Sequence, residues 1–190
     1  DWEDPFPAPI ITEHDGLKVV REDLMGFGSK CRFGDILVQK APTDTLVYVQ
    51  PRYGFAGISL AYLAKKYNKK LVLFSPSQKE ISDHQAICIE RGATPKFRRI
   101  AAMPNLNKIA KEWAEANNAT FIPLGLKHEL VTAAAVKVAY DVAEKHGYPE
   151  EVWSAISTGV LQRSLQIAWP DAKFNAVAVS RNIKNGELGK

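Results

Sequence analysis

The stretch REDLMGFGSKCRFGDIL, residues 21–37, places a lysine between a glycine-containing loop and an apolar run. Gly26, Gly28 and Ser29 precede Lys30, and the residues behind it have the apolar pattern of a helix. A solvated lysine needs no such setting, whereas a lysine that acts as a nucleophile requires a defined and partly desolvated one. On these residues alone, Lys30 is either an ordinary surface lysine or a candidate for covalent chemistry.

Composition and cysteine usage limit the class of protein. Of the 190 residues, 46% are hydrophobic and 24% are charged, so the chain can bury a real core. It has no apolar run of membrane-spanning length and no signal-peptide pattern at its start, so no membrane association is expected. Cys31 and Cys88 form neither a CxxC pattern nor a Cys/His array, which predicts packing thiols in a reducing, cytoplasmic setting.

Charge and histidine spacing argue against two kinds of partner. The net charge of +4 is mild, and the basic residues are spread along the sequence, so a nucleic-acid partner is not expected. The four histidines show no HExxH pattern or other metal-ligand spacing, so no metal site is expected.

Strand-like runs alternate with helix-like segments, which is typical of a parallel α/β sheet. The strand-like runs are residues 44–50, 69–76, 94–100, 119–125, 151–157 and 173–180. The helix-like segments are residues 58–68, 82–93, 105–118, 128–147 and 159–169. The polar tail, residues 181–190, carries no packing signal.

Two loops follow predicted strands and precede predicted helices, namely PRYGFAG at 51–57 and STG at 157–159. Open parallel sheets bind ligands at such loops, and backbone N–H groups at a helix start favour an anion. Neither loop is a Walker sequence or a GxGxxG. Spacing alone does not distinguish an anion site from an ordinary strand-to-helix turn.

The segment from Pro7 to Leu37 resembles the opening of the fold-type II pyridoxal-phosphate enzymes, the tryptophan synthase β and cysteine synthase superfamily. The likeness is carried by Pro7, Pro9, the run Arg21-Glu22-Asp23-Leu24 and the loop ahead of Lys30. It continues in order through residues 54–93, 119–147 and 151–180, and residues 119–147 are closer to the 1-aminocyclopropane-1-carboxylate deaminase and D-cysteine desulfhydrase branch.

The resemblance implies a tryptophan synthase β-like fold of two lobes, each a three-layer parallel sheet. Residues 1–27 with 120–190 would form the large lobe, and residues 28–119 the small lobe. The large lobe is incomplete compared with relatives, which continue further, and three explanations are open: a miniature enzyme completed by a second subunit, a degenerate relative, or a fragment. It also implies a homodimer with pyridoxal 5′-phosphate as cofactor. The expected activity is that of a lyase or deaminase on a small amino acid, by elimination or replacement at the β-carbon. The alternative is a degenerate relative that serves as a non-catalytic or repurposed binding protein.

Individual site residues are carried over from the same resemblance. Lys30, as the Schiff-base lysine, and Tyr53, in a serine position, would be the catalytic groups. The residues assigned to the cofactor are Lys30, Phe55, Ser157, Thr158 and Gly159. The residues assigned to the substrate are Tyr53, Gly54, Ala56, Lys127 and His128. Phe55 departs from the polar residue of relatives, and Arg163, just after the phosphate loop, is expected to be a solvated helix residue.

Overall fold

The computed structural model describes residues 2–100, 102–179 and 186–189. The strands are β1 Ile11–His14, β2 Leu17–Val20, β3 Thr45–Val49, β4 Lys70–Pro76, β5 Thr94–Arg98, β6 Thr120–Phe121, β7 Glu151–Ile156 and β8 Lys173–Ala178. The α-helices are α1 Lys30–Gln39, α2 Ala56–Lys66, α3 Asp83–Glu90, α4 Met103–Ala116, α5 Glu129–His146 and α6 Val160–Ala168. Short 3-10 helices span Glu22–Leu24 and Leu124–Leu126.

The chain divides into two compact units, residues 21–126 and residues 1–20 with 127–190. The two lobes expected from the sequence have somewhat different limits, residues 28–119 and residues 1–27 with 120–190. Each unit has its own sheet and is described by itself.

The unit of residues 21–126 is built on a four-stranded parallel sheet in the order β5-β4-β3-β6. One face of the sheet packs against the apolar stripe of α4, and α2 contacts β3 and β4. The buried cluster beneath α4 consists of Val47, Val49, Val72, Phe74, Leu106, Ala110 and Ala114. Parallel sheets need cover from helices, because their strands carry apolar side chains on both faces. The parallel order brings the carboxyl ends of β3, β4 and β5 to one edge.

The unit of residues 1–20 and 127–190 contains the parallel pair β7-β8 and the packed helices α5 and α6. Its core cluster is Ala139, Ala143, Val152, Ala168 and Trp169. The antiparallel hairpin β1-β2 turns at Asp15 and Gly16, which both have positive φ, 49° and 77°. Two left-handed residues match the hairpin turn that follows the natural twist of strands. Lys18 Nζ in the hairpin donates a hydrogen bond to the carbonyl of His146 at 2.6 Å.

The structure confirms the predicted alternation of strands and helices, with ends that differ by a few residues. Gly92 and Gly147 follow α3 and α5 with positive φ, 94° and 89°, as expected of residues that end helices. The hairpin β1-β2 was not predicted. Ser180, the last residue of a predicted strand, and residues 181–185 of the tail lie outside the described residues.

None of the helices in the described ranges combines the length and the hydropathy of a membrane span.

Leu106 tests the packing of α4 on the sheet. Its side chain is fully buried in the cluster beneath α4, so Leu106→Ala leaves a cavity and should lower the free energy of unfolding by about 2–5 kcal/mol. Leu24→Ala, at a position that is 54% exposed in the same unit, should change it by less than about 0.5 kcal/mol. Urea denaturation measures both, and equal effects would contradict the packing described for α4.

Candidate active site

Lys30 is the first residue of α1 and follows Gly28, whose φ of 79° lies in the left-handed region. Its side chain is partly buried, and burial lowers the pKa of Lys30 below the ordinary lysine value of 10.5. Within the described residues its amine has no hydrogen-bond or ion-pair partner that would restore the charged form. A larger share of this amine is therefore neutral and nucleophilic than in a solvated lysine.

The loop ahead of Lys30 is anchored by Phe27. The Phe27 ring stacks on the Tyr62 ring, with centroids 4.0 Å apart. The Arg91 guanidinium makes a cation–π contact with the Phe27 ring, 4.7 Å from its centroid. The Phe27 carbonyl accepts hydrogen bonds from Ser59 Oγ at 2.5 Å and Cys31 Sγ at 3.4 Å. These contacts fix the backbone three residues before the candidate nucleophile.

Cys31 is fully buried beside Lys30, which agrees with a packing role. Burial raises the pKa of the Cys31 thiol to about 11. Because the thiolate is the reactive form of cysteine, this residue does not compete with Lys30 as a nucleophile near neutral pH.

An ion pair joins the turn at Glu22 to the first turn of α1. Arg32 is 2% exposed, and its Nε lies 3.1 and 3.3 Å from the two carboxylate oxygens of Glu22. A second contact, from Nη2 of Arg32 to Oε1 of Glu22, measures 3.1 Å. A paired guanidinium tolerates burial, whereas one that has lost its partner costs about 3–5 kcal/mol. The pair therefore brackets the loop that ends at Lys30.

Gln50 orders the predicted substrate loop. Its fully buried side chain donates from Nε2 to the carbonyl of Gly54 at 2.8 Å and accepts from the N–H of Gly57 at 3.0 Å. Ser82 Oγ donates a short hydrogen bond to the carbonyl of Arg52. Both ends of the loop are therefore tied to buried side chains, and the loop is a defined element of the site.

Tyr53 and Phe55, two predicted site residues, present their rings to solvent, with 65% and 55% exposure. Both rings meet His84 edge to face, at centroid distances of 6.1 and 5.0 Å. A Cβ placed on Gly28 would lie 3.1 Å from the Cβ of Phe55. Phe55 therefore lies directly against the loop that carries Lys30.

Gly54 and Ala56 are the other predicted substrate residues of this loop, and their structural role lies in the backbone conformation. Gly54 has a φ of 146°, a conformation that side chains rarely adopt, and Ala56 is the buried first residue of α2. They could therefore contact a substrate through their backbone groups but not through their side chains.

The predicted phosphate loop, Ser157 to Gly159, lies in the other unit at the start of α6. Gly159 is the N-cap residue, with a left-handed φ of 74°. A Cβ on Gly159 would overlap the carbonyl oxygen of Glu187, so the described part of the tail passes directly over the loop. Ser157 and Thr158 are partly buried.

The structure overturns the expectation for Arg163. It was expected to be a solvated helix residue, but it is partly buried and its Nη1 donates to the carbonyls of Thr158 at 3.4 Å and Gly186 at 3.2 Å. Gln166 Nε2 donates to the carbonyl of Leu188 at 2.9 Å. The tail residues 186–189 therefore pack on α6, although the polar tail sequence gave no signal of packing.

His128 is the N-cap of α5, and its Nδ1 accepts a hydrogen bond from the N–H of Leu130 at 3.1 Å. An acceptor at Nδ1 places the proton of the neutral ring on Nε2, so only an N–H remains for a ligand. Lys127 is exposed beside it. Their assignment to the substrate stays a prediction.

Sequence reasoning did not single out the residues that order these loops: Gln50, Ser59, Phe27 and Arg91. A polar residue within an otherwise apolar segment could have identified two of them. Gln50 ends the run TLVYVQ, and Ser59 lies inside GISLAYLA, so each is a polar side chain in a segment predicted to be buried.

Among the side chains that the structure describes, no group of three or more His, Cys, Asp and Glu could hold a metal ion.

No protein-family model and no curated protein sequence matches the chain. Solved structures do match. An ACC deaminase homologue superposes with a TM-score of 0.76 over 90% of this chain and 58% of that chain, at 19% identity. Threonine deaminase isoform 2 from Solanum lycopersicum gives a TM-score of 0.72 over 85% of this chain and 46% of that chain, at 13% identity.

A pyridoxal 5′-phosphate-dependent aspartate racemase gives a TM-score of 0.66 over 84% of this chain and 50% of that chain, at 17% identity. The fold is that of the fold-type II pyridoxal-phosphate enzymes. The predicted fold class is therefore confirmed, and the chain spans about half the length of the solved chains it matches.

Gly57 tests the clamp made by Gln50. A Cβ on Gly57 would overlap the buried Oε1 of Gln50, so Gly57→Ala should lower the free energy of unfolding by about 1–3 kcal/mol. Gly26→Ala is the control, because a Cβ there meets no atom within 4 Å, and it should be neutral or stabilising by up to about 1 kcal/mol. Thermal or urea unfolding compares the two, and a neutral Gly57→Ala would show that Gln50 does not clamp the loop.

Proposed function

We propose that the protein binds pyridoxal 5′-phosphate through Lys30 and acts as a lyase or deaminase on a small amino acid. The observation that carries the proposal is the partly buried amine of Lys30, which has no partner among the described residues and whose pKa is lowered by burial. A neutral amine is the form that condenses with an aldehyde, so this side chain fits the reactive group of the cofactor. The shared fold and the cofactor of the aspartate racemase add support.

The loop at the start of α6 fits the phosphate group in part. Its backbone N–H groups lie at a helix N-terminus, where an anion is stabilised. Arg163 supplies a cation beside the loop, because its Nη1 donates a hydrogen bond to the carbonyl of Thr158. The carbonyl of Glu187 faces Gly159 on the same surface, and a carbonyl oxygen repels a phosphate. Binding there would therefore require residues 186–189 to move aside.

When bound, pyridoxal phosphate supplies an electron sink for the carbanion formed at the α-carbon of an amino acid. Lys30 would hold the cofactor and, once its amine is released, would move the α-proton, for which a lowered pKa is suited. Tyr53 would present its hydroxyl to the substrate, and Phe55 would exclude water beside the lysine loop. A homodimer, which the resemblance implies, and a cytoplasmic location, which the cysteine pattern predicts, belong to this proposal.

The second candidate is a repurposed binding protein that keeps the fold without the chemistry. Two observations favour it. Phe55 offers no hydrogen bond where relatives have a polar residue, and the carbonyl of Glu187 lies over Gly159 in the predicted phosphate loop. Lys30 would then be a partly buried lysine without a catalytic role.

Cofactor loading separates the two candidates. Protein incubated with pyridoxal phosphate should absorb in the near-violet, lose that band on borohydride reduction, and carry the reduced label on the peptide that contains Lys30. Lys30→Ala should lose both signals. Lys111→Ala, which removes an exposed lysine from the same unit, should keep both.

Label scattered over surface lysines, at equal levels in the parent protein and Lys30→Ala, would refute a cofactor role for Lys30. Protein that stays colourless with added cofactor would favour the repurposed binding protein.

A further inference from the structure

The carboxyl edge of the sheet in residues 21–126 gathers exposed aromatic and basic side chains from three neighbouring loops. These loops follow β3, β4 and β5, and Arg98, the last residue of β5, adjoins them. We refer to this set as the edge surface: Arg52, Tyr53, Phe55, Lys79, Arg98 and Arg99. Because β4 lies between β3 and β5, and neighbouring strands are about 4.8 Å apart, the outer loops are roughly 10 Å apart. Residues that are dispersed in the sequence thus share one surface.

The aromatic rings of the edge surface are exposed yet held in place. Tyr53 and Phe55 pack edge to face against His84. The backbone carbonyls of Gly54 and Arg52 in the same loop accept hydrogen bonds from the side chains of Gln50 and Ser82. Exposed aromatic rings forgo much of the free energy of burial. A rigid, exposed pair of rings is a preorganised stacking surface for a flat ligand.

The cations of the edge surface are exposed and partly oriented. The Arg52 guanidinium lies 5.4 Å from the Tyr53 centroid, and the Arg98 guanidinium lies 5.8 Å from the Phe74 centroid and donates to the carbonyl of Phe97 at 2.9 Å. Lys79 and Arg99 are also exposed. The acidic residues in the loop after β4 and the first turn of α3 are Glu80 and Asp83. Basic charge therefore exceeds acidic charge on this surface.

The combination defines the chemical class of the ligand. Base faces stack on aromatic rings, and a backbone of phosphates is attracted by cations distributed along it. An amino acid presents a single carboxylate and would leave most of these cations unused. A duplex keeps its base faces stacked inside, out of reach of Tyr53 and Phe55. We propose that the edge surface binds single-stranded nucleic acid. Its two rings, Tyr53 and Phe55, belong also to the proposed substrate loop, whereas its four basic residues have no role in the proposed cofactor chemistry.

Fluorescence anisotropy with labelled dT15 tests the proposal on the full chain without added cofactor. Binding should weaken as salt rises. The double variant Tyr53→Ala with Phe55→Ala should weaken it about tenfold or more, because each stacked base contributes substantially. Arg52→Ala with Arg98→Ala should reduce the slope of log K against log salt by about 1.4, or about 0.7 for each phosphate contact.

Matched controls remove an exposed ring or equal charge elsewhere. Tyr148→Ala and Lys108→Ala with Lys111→Ala should leave the affinity within about twofold, and circular dichroism checks that every variant is folded. Lys30→Ala should bind dT15 like the parent, which separates this test from that of the cofactor.

Three results would overturn the proposal. They are no binding of dT15 at low salt, equal loss of affinity in the edge-surface and control variants, and preference for a duplex or for free dTMP over dT15.

Discussion

One physical constraint distinguishes Lys30: its amine is desolvated, and the described residues offer it no partner. Taking an ammonium group out of water disfavours its charged form, and no hydrogen bond or carboxylate within the described residues offsets this for Lys30. The unfolded chain holds the proton more tightly than the folded one. Lys30 therefore costs stability at neutral pH, and this cost is relieved as pH rises towards 10.5.

Hydrogen bonds from buried side chains to backbone carbonyls order both the loop ahead of Lys30 and the loop that carries Tyr53 and Phe55. Ser59 in α2 holds the carbonyl of Phe27 ahead of Lys30, and Gln50 at the end of β3 holds the loop that carries Tyr53 and Phe55. Gly28 lets these two loops touch, because a larger residue would press on Phe55 and Ser59. The loop that carries Lys30 and the loop that carries the exposed rings are therefore in contact within one unit.

Periodicity in the sequence predicted most of the fold, because buried strands and amphipathic helices leave regular apolar patterns. The hairpin β1-β2 was missed although Asp15-Gly16 is a recognised turn signal, since its strands are short and largely exposed. Lys30 became a candidate through the family resemblance, to which its glycine-containing loop contributes. Its partial burial, and the lack of a partner among the described residues, were not predictable, because both depend on which residues from distant segments surround it.

The supporting residues were harder to predict. Ser59 and Phe27 are 32 positions apart in sequence, and nothing local indicates that one donates to the carbonyl of the other. Arg163 was expected to be solvated, because its partner at Gly186 lies in a polar tail without periodicity. Sequence patterns record which residues are buried more readily than which polar groups meet.

The most direct test of the central claim is an NMR titration of the lysine side chains, with the Lys30 signal assigned by its loss in Lys30→Arg. We expect Lys30 to titrate below the ordinary lysine pKa of 10.5. A Lys30 signal that titrates at or above 10.5 would show a solvated or paired amine and would contradict the desolvation proposed for Lys30.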